Sequence, residues 1–259
     1  MSDVALEYSR TLTQIAEADT VVGLRQCVMD GLSLIGVEAA YFIAPLTSDP
    51  RVGRILTCIG TNGIWERQYR ARLHLIDPLP SISLTHSTAF VWPGDVEETD
   101  LTGLQQRYLK LVARYGMGQI IGVACYGPNG RSGFLGAVWT DEQPPIAGHK
   151  QWVNSVGQGS FRRYCQLIRN DDEIVPLSNR ELQVTSWMCE GKSNSVIAQI
   201  LEISRSSVDM YVRRIFAKLG VSDRTAACLR AYSLGLIVTG DYQRLMVEAR
   251  QREQSDRVR

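Results

Sequence analysis

Three serines, Ser178, Ser193 and Ser204, each stand directly ahead of an apolar pattern of helical period, and their spacing leaves the chain between them little freedom. A serine hydroxyl at the start of a helix accepts a hydrogen bond from a first-turn amide that has no partner inside the helix. Ser178-Asn-Arg-Glu181 forms a capping box, in which serine and glutamate satisfy each other's exposed amides. Leu182, Val184, Trp187 and Met188 give this first helix an apolar stripe, and Gly191 can end it. The helix opened by Ser193 holds Val196, Ile197, Ile200 and Leu201 and gives way at Glu202-Ile203 to the third. There Val208, Val212, Ile215, Phe216 and Leu219 face inward, while Arg205, Ser207, Asp209, Met210, Arg213 and Arg214 face outward. A short helix, a tight turn and a longer helix with a polar outer face make a helix-turn-helix. A fourth helix, at about 224–234, completes an all-α unit. On spacing alone, the outward arginines fit either a DNA-reading face or the solvated face of a helical interaction domain.

These helices occupy only the end of a 259-residue chain, longer than the usual single domain of about 100 to 200 residues, so two domains are expected. The charge cluster and proline of Asn170-Asp-Asp-Glu-Ile-Val-Pro176 mark the division: a domain over 1–170, a linker over 171–176 and the helical domain over 177–239. The polar tail, 240–259, is expected to be a frayed helix or disordered. Charge follows the same division. Residues 1–170 hold 15 Lys/Arg against 15 Asp/Glu, whereas 177–239 hold 8 against 5, a modest basic excess of the sign that phosphate attraction needs. The longest apolar runs, such as Ile120 to Cys125, are too short to cross a bilayer, and the start MSDVALEYSR lacks a signal peptide's basic and apolar regions. A cytoplasmic protein without a membrane partner is expected. Six cysteines stand singly among apolar residues without ligand spacing and are read as buried thiols, with no metal site and no cofactor.

The first domain reads as an antiparallel sheet with helices on both faces, an α-β-α sandwich, which makes the whole chain α+β. Helices are expected over Val4 to Ala18 and, capped by Thr20, Val21 to Ile35. Strands follow over Ala39 to Pro45 and Arg54 to Ile59, separated by the turn-forming Ser48-Asp49-Pro50. A helix at about Gly63 to Leu73 precedes an irregular stretch holding Asp77-Pro78, Pro80 and Trp92-Pro93-Gly94, after which Asp100 is read as the cap of a helix to Tyr115. Gln119 to Tyr126 and Gly133 to Trp139 flank Gly127-Pro128-Asn129-Gly130 as a hairpin, before a long helix over Ala147 to Ile168.

The C-terminal sequence LSNRE, a tryptophan, GKS, IAQILEIS, SSVDMYVRRIFAKLGV and the GLI at 235–237 resembles the DNA-binding domain of the LuxR family over about 60 residues. Thr185 stands where that family usually has leucine. The resemblance puts Asp209, Met210 and Arg213 at the recognition-helix positions that address base edges. Arg213 suits a bidentate contact to guanine and Met210 a thymine methyl, while Asp209 either accepts from cytosine or orients Arg213. Lys192, Ser193, Ser207, Arg214 and Lys218, with the outward Arg205, fit phosphate contacts that set register. The resemblance also implies a homodimer on a palindromic site in double-stranded DNA. Candidate interfaces are Ala226, Ala227, Leu229 and Leu234 on the last helix, and the 147–168 helix.

Phosphorylated response regulators carry the same module, but the first domain lacks a receiver's alternating strands and helices and its acidic series. It resembles instead the autoinducer-binding domain of quorum-sensing receptors at Trp65, Tyr69, Asp77-Pro78, Trp92, Gly116 and the Gly127 to Gly136 turn and strand. The implied signal is a small molecule, first an N-acyl-homoserine lactone; a non-lactone signal, or action without ligand, is the alternative. The chemistry fits a ligand with an amide, a polar ring and an apolar tail. Trp65 can donate to a carbonyl, Asp77 can accept from an amide, Trp92 can cover a ring and Tyr69 can flank the chain, with Gly136 lining the site. In that family Thr61 stands at a frequent tyrosine position, and Gly136 at a serine or threonine position. With three histidines, no nucleophile motif and no phosphate-binding glycine loop, an enzyme is not expected.

Overall fold

The computed structural model describes residues 3–49, 53–128, 131–140, 144–168 and 176–237, and the chain divides into two compact units at Arg169/Asn170. The expected linker, apart from Pro176, lies outside the described residues, as do the 240–259 tail, Pro50 of the first turn and Asn129-Gly130 of the hairpin turn.

The first unit begins with α1 (Asp3–Glu17) and α2 (Val21–Ser33), the latter capped by Thr20, whose hydroxyl accepts from Gly23 N. Strands β1 (Ala39–Asp49) and β2 (Gly53–Ile59) lead to α3 (Gly63–Ala71), a 3-10 turn at Leu73–Leu75, and α4 (Leu79–Ile82). Then come β3 (Phe90–Trp92), α5 (Gly103–Arg114), β4 (Gln119–Tyr126), β5 (Ser132–Trp139) and α6 (Ala147–Leu167). The strands form one antiparallel sheet in the order β2-β1-β5-β4-β3. β4 and β5 pair in unbroken register from Gln119 opposite Trp139 to Tyr126 opposite Ser132, the expected hairpin. Lying centrally, both strands are buried on both faces, so their sequences are almost continuously apolar.

Two expectations need correction. The stretch around Trp92 is not irregular throughout, because α4 lies within it and Phe90–Trp92 closes the sheet as an edge strand paired to Ile120–Gly122. The helix after it is capped by Thr102 rather than Asp100. Thr102 has a glutamine three residues on, and the reciprocal bonds with Gln105 make a capping box that Asp100, at the end of a 3-10 turn, has no means to form.

Side-chain alternation assigns each strand residue to one of two cores. Ala40, Ile121, Val123, Leu135 and Ala137 pack against α1, α2 and α6, around Val28, Leu32, Trp152 and Val156. Tyr41, Ile43, Phe90, Ile120 and Phe134 face the other way, toward Trp65 and Tyr69 of α3 and Tyr108 and Val112 of α5. The α-β-α sandwich is therefore as expected. Among the described residues no helix is long and apolar enough to cross a membrane. The cysteines are free thiols, Cys58, Cys125 and Cys165 buried and the others half-buried.

The second unit is α7 (Asn179–Cys189), α8 (Asn194–Ile200), α9 (Arg205–Leu219) and α10 (Arg224–Ser233). Ser178, Ser193 and Ser204 cap the first three as the sequence requires. Gly191 and Gly220 follow α7 and α9 with φ of 76° and 65°, a left-handed conformation that a side chain would strain. Val184, Ile197, Val208, Ile215, Ala227 and Ala231 are fully buried and form its core. Thr185, also fully buried, is accommodated because its hydroxyl donates to Glu181 O at 2.7 Å.

Candidate signal pocket and DNA-binding face

Asn62 starts α3 by accepting from Ile64 N and Trp65 N, and so fixes the rotation that turns Trp65 and Tyr69 toward the sheet. Their ring centroids lie 5.1 Å apart, and Tyr41 of β1 meets Trp65 edge-on at 5.1 Å. Asp77, only 4 % exposed, lies where the chain leaves the 3-10 turn. Its carboxylate accepts from Tyr69 Oη and from Leu79 N, both at 3.0 Å. Trp92, from β3, belongs to the same apolar cluster. Trp65, Tyr69, Asp77 and Trp92 are thus brought to one side of the sheet.

Polar atoms at the centre of this cluster have fewer partners than burial usually demands. Tyr41 Oη, Trp65 Nε1 and Tyr108 Oη are buried without a hydrogen-bond partner among the described residues. Each such group costs about 1 to 3 kcal/mol. Burial, then the charge of Asp77, pushes the Tyr41 phenol well above its ordinary value. Burial and then Asp77 do the same to Tyr108, and the neighbouring Trp65 indole N–H, which does not reach it in hydrogen-bond geometry, opposes this only weakly. Both phenols therefore stay protonated as donors. Burial likewise pushes the Cys58 thiol up to about 12, which leaves it neutral and unreactive.

Tyr41 and Tyr108 are members of this cluster that sequence reasoning missed. Gly136, expected to line the site directly, lies opposite Tyr41 in the β1–β5 register, and a Cβ on it would meet the tyrosine ring at 2.4 Å. The ring covers the glycine, so Tyr41 presents the polar group at that place. A glycine facing an aromatic across two strands is a signal that could have found it. Thr61 donates to Glu66 Oε1 at 2.6 Å, at the start of α3.

In the second unit Arg205, Arg213 and Arg214 are exposed along α9, with Ser193 exposed at the head of α8; Lys192, Ser207, Asp209 and Met210 are half-buried. Asp209 is held from the neighbouring helix, accepting from Asn194 Nδ2 at 2.7 Å. Arg224 completes this brace by donating to Asn194 Oδ1 at 2.9 Å and to Lys192 O. Asn194 and Arg224, both missed in the sequence, tie α8, α9 and α10 together beneath the arginines. Lys218 turns inward to Glu181 Oε2 at 2.7 Å and Pro176 O at 3.1 Å. Burial pushes the Glu181 carboxyl up, but the bonds from Lys218 and from Ser178 outweigh it and hold it below the ordinary glutamate value. On α10, Ala227 belongs to the core rather than to a surface, whereas Leu229 and Tyr232 are exposed.

Residues 24–159, more than half of the chain, match the family model described as "Autoinducer binding domain", and residues 175–231 match "Bacterial regulatory proteins, luxR family". The chain belongs to the LuxR family. As in that family, it is a ligand-responsive DNA-binding regulator of transcription, and the family is one of regulators rather than enzymes. The transcriptional activator protein AhyR of Aeromonas hydrophila is 24 % identical over 250 residues, 91 % of this chain and 93 % of that one. The quorum sensing-dependent regulator RpaR of Rhodopseudomonas palustris is 25 % identical over 166 residues, 62 % of this chain and 66 % of its own. The crystal structure of Escherichia coli SdiA superposes with a TM-score of 0.68 at 19 % identity, covering 92 % of this chain and all of that one, a likeness of fold.

Proposed function

We propose that this LuxR-family protein is a cytoplasmic homodimeric receptor that takes an N-acyl-homoserine lactone against Trp65, Tyr69, Asp77 and Trp92 and binds a palindromic promoter site. The observation that carries the signal side is the group of three buried donors without partners, Tyr41 Oη, Trp65 Nε1 and Tyr108 Oη, in a cluster with the buried Asp77 carboxylate. An acyl amide supplies what they lack: its carbonyls accept from the donors and its N–H donates to Asp77, while Trp92 covers the ring and Tyr69 flanks the chain. In this reading residues 1–170 are the receptor domain, and Gly136 acts through the Tyr41 ring that it admits.

On the DNA side Arg213 and Met210 address bases in the major groove, and Lys192, Ser193, Arg205, Ser207 and Arg214 contact phosphates. The bond from Asn194 suits Asp209 to positioning Arg213 rather than to reading a base alone. Lys218 reaches a phosphate only at the expense of Glu181. The exposed Leu229 and Tyr232 of α10 supply a dimer contact for residues 177–239.

A second reading, an acyl signal without a lactone ring, is favoured by the chemistry of the same group. Three donors call for acceptors and do not themselves require an amide, and SdiA has been solved in complex with octanoyl-rac-glycerol. Thermal melts across a panel of acyl-homoserine lactones and acylglycerols separate the two. A ligand that binds only the folded state raises the melting temperature with its concentration. The Asp77→Ala variant should lose about tenfold or more in affinity for a lactone, since burying an amide without its partner costs about 1 to 3 kcal/mol. A lactone shift unchanged in Asp77→Ala removes Asp77 from the site. Shifts with acylglycerols alone establish the second reading.

A further inference from the structure

The sheet's other face carries a recess that, among the described residues, shares only Ile43 with the signal cluster. Along β1 and β2 the residues Tyr41, Ile43, Leu56 and Cys58 belong to the signal side. Phe42, Ala44, Ile55, Thr57 and Ile59 alternate with them and face the opposite way. On that face α2 and α6 cover the middle of the sheet, and between them and β2 a concavity of about 400 Å³ remains. Its size is within the range of about 300 to 1,000 Å³ common to small-molecule sites. Leu24 and Val28 of α2, Phe161 and Tyr164 of α6, and Ile55 and Ile59 of β2 wall it. Its apolar rim is open to water, with Ile55 58 % exposed and Val21 42 %.

The polar lining is of one sign. Arg25 of α2 and Arg131, just ahead of β5, both border the recess, and among the described residues no aspartate or glutamate does. Arg25 Nη2 donates to Cys58 O at 2.7 Å and Arg131 Nη1 to Cys165 O at 3.2 Å. Both acceptors are neutral, and among the described residues neither guanidinium meets a carboxylate. A guanidinium carries five N–H donors and pairs best with a bidentate anion, so one carbonyl leaves most of each fork unused. Two exposed guanidiniums bordering an apolar recess, with no carboxylate partner among the described residues, complement an anion on an apolar stem.

We infer that this recess is a second ligand site, for a single-chain alkyl carboxylate whose chain lies along Leu24, Val28, Phe161 and Ile59 and whose head is held by Arg25 and Arg131. The site is independent of the acyl signal and would let a fatty carboxylate act on the same receptor unit from the opposite face of the sheet. Three walls, from α2, the sheet and α6, favour a small molecule over a protein surface.

Isothermal titration of the full chain with decanoate, below its micellar concentration, tests this against decanol and decyltrimethylammonium. Decanoate should bind, and decanol should bind about tenfold more weakly for want of the charge-assisted bonds. Arg131→Gln should weaken decanoate about as much. Ile55→Glu, at an exposed position that leaves the fold intact, should abolish binding by placing a like charge in the recess, whereas Trp65→Phe should leave decanoate affinity unchanged. Equal affinity for decanol, no heat with decanoate, or loss in Trp65→Phe but not in Ile55→Glu would each overturn the proposal. So would a dimer in wild type that Ile55→Glu dissociates without any decanoate binding, since a second copy would then fill the recess.

Discussion

Replacing Tyr41 by phenylalanine should stabilise the protein without ligand and weaken its hold on the signal, a pair of effects that ordinary damage to a core does not produce. The Tyr41 hydroxyl is fully buried and has no partner, so removing it recovers about 1 to 3 kcal/mol of desolvation cost. Phenylalanine keeps the ring over Gly136 and its contacts to Trp65 at 5.1 Å and Phe134 at 5.9 Å, so little packing is lost. In a chain of this size each kcal/mol moves the melting temperature by roughly 2 to 4 °C, so a rise of about 2 to 12 °C is expected without ligand. In the proposed site the hydroxyl donates to the signal, so its loss should weaken binding about two- to tenfold. Tyr69→Phe is the control. Its hydroxyl donates to Asp77 at 3.0 Å, so the same substitution there should lower the melting temperature. A lower melting temperature for ligand-free Tyr41→Phe would show that the hydroxyl is satisfied without signal and would refute the reasoning.

Arg213→Ala should reduce specific DNA affinity by about 1 to 3 kcal/mol and relax preference at one operator position; equal loss on random DNA in a gel shift would make Arg213 a phosphate contact. Glu181→Gln should destabilise the helix-turn-helix unit by about 1 to 2 kcal/mol at neutral pH through loss of the charged cap and the Lys218 pair. Because the folded-state carboxyl titrates below its ordinary value, that stability is present above about pH 4.3 and is lost as pH falls through the folded value. Melts of wild type and variant should therefore converge in acid, and a gap that widened instead would contradict the direction of the shift.

What the sequence disclosed was what local chemistry decides. Ser178 with Glu181, Ser193, Ser204 and Gly191 announce helix ends within a few residues of themselves, and the β4–β5 hairpin is bounded by its own turn residues. β3 was not legible, because three residues ahead of a proline become a strand only by pairing with Ile120–Gly122, far along the chain. The same holds in the sites. Trp65 and Tyr69 are four apart and share a helix face, whereas Tyr41 joins them through its place opposite Gly136. Asn194 and Arg224 are 30 residues apart, and only the packing of α8 and α10 against α9 reveals the brace under Asp209. Ala227 and Leu229, both apolar on one short helix, looked alike until burial separated them into core and surface.

In the proposed regulator signal and DNA occupy different units of one chain, and each should alter the affinity for the other. The direct measurement is operator affinity of the wild-type chain with and without saturating signal, paired with signal affinity with and without operator. A coupling of about 1 to 3 kcal/mol, roughly 5- to 150-fold, is expected, and linkage requires the same factor in both directions. Trp65→Phe, at subsaturating signal, should show a smaller effect on DNA. Operator affinity unchanged by saturating signal would show that the two units are not coupled.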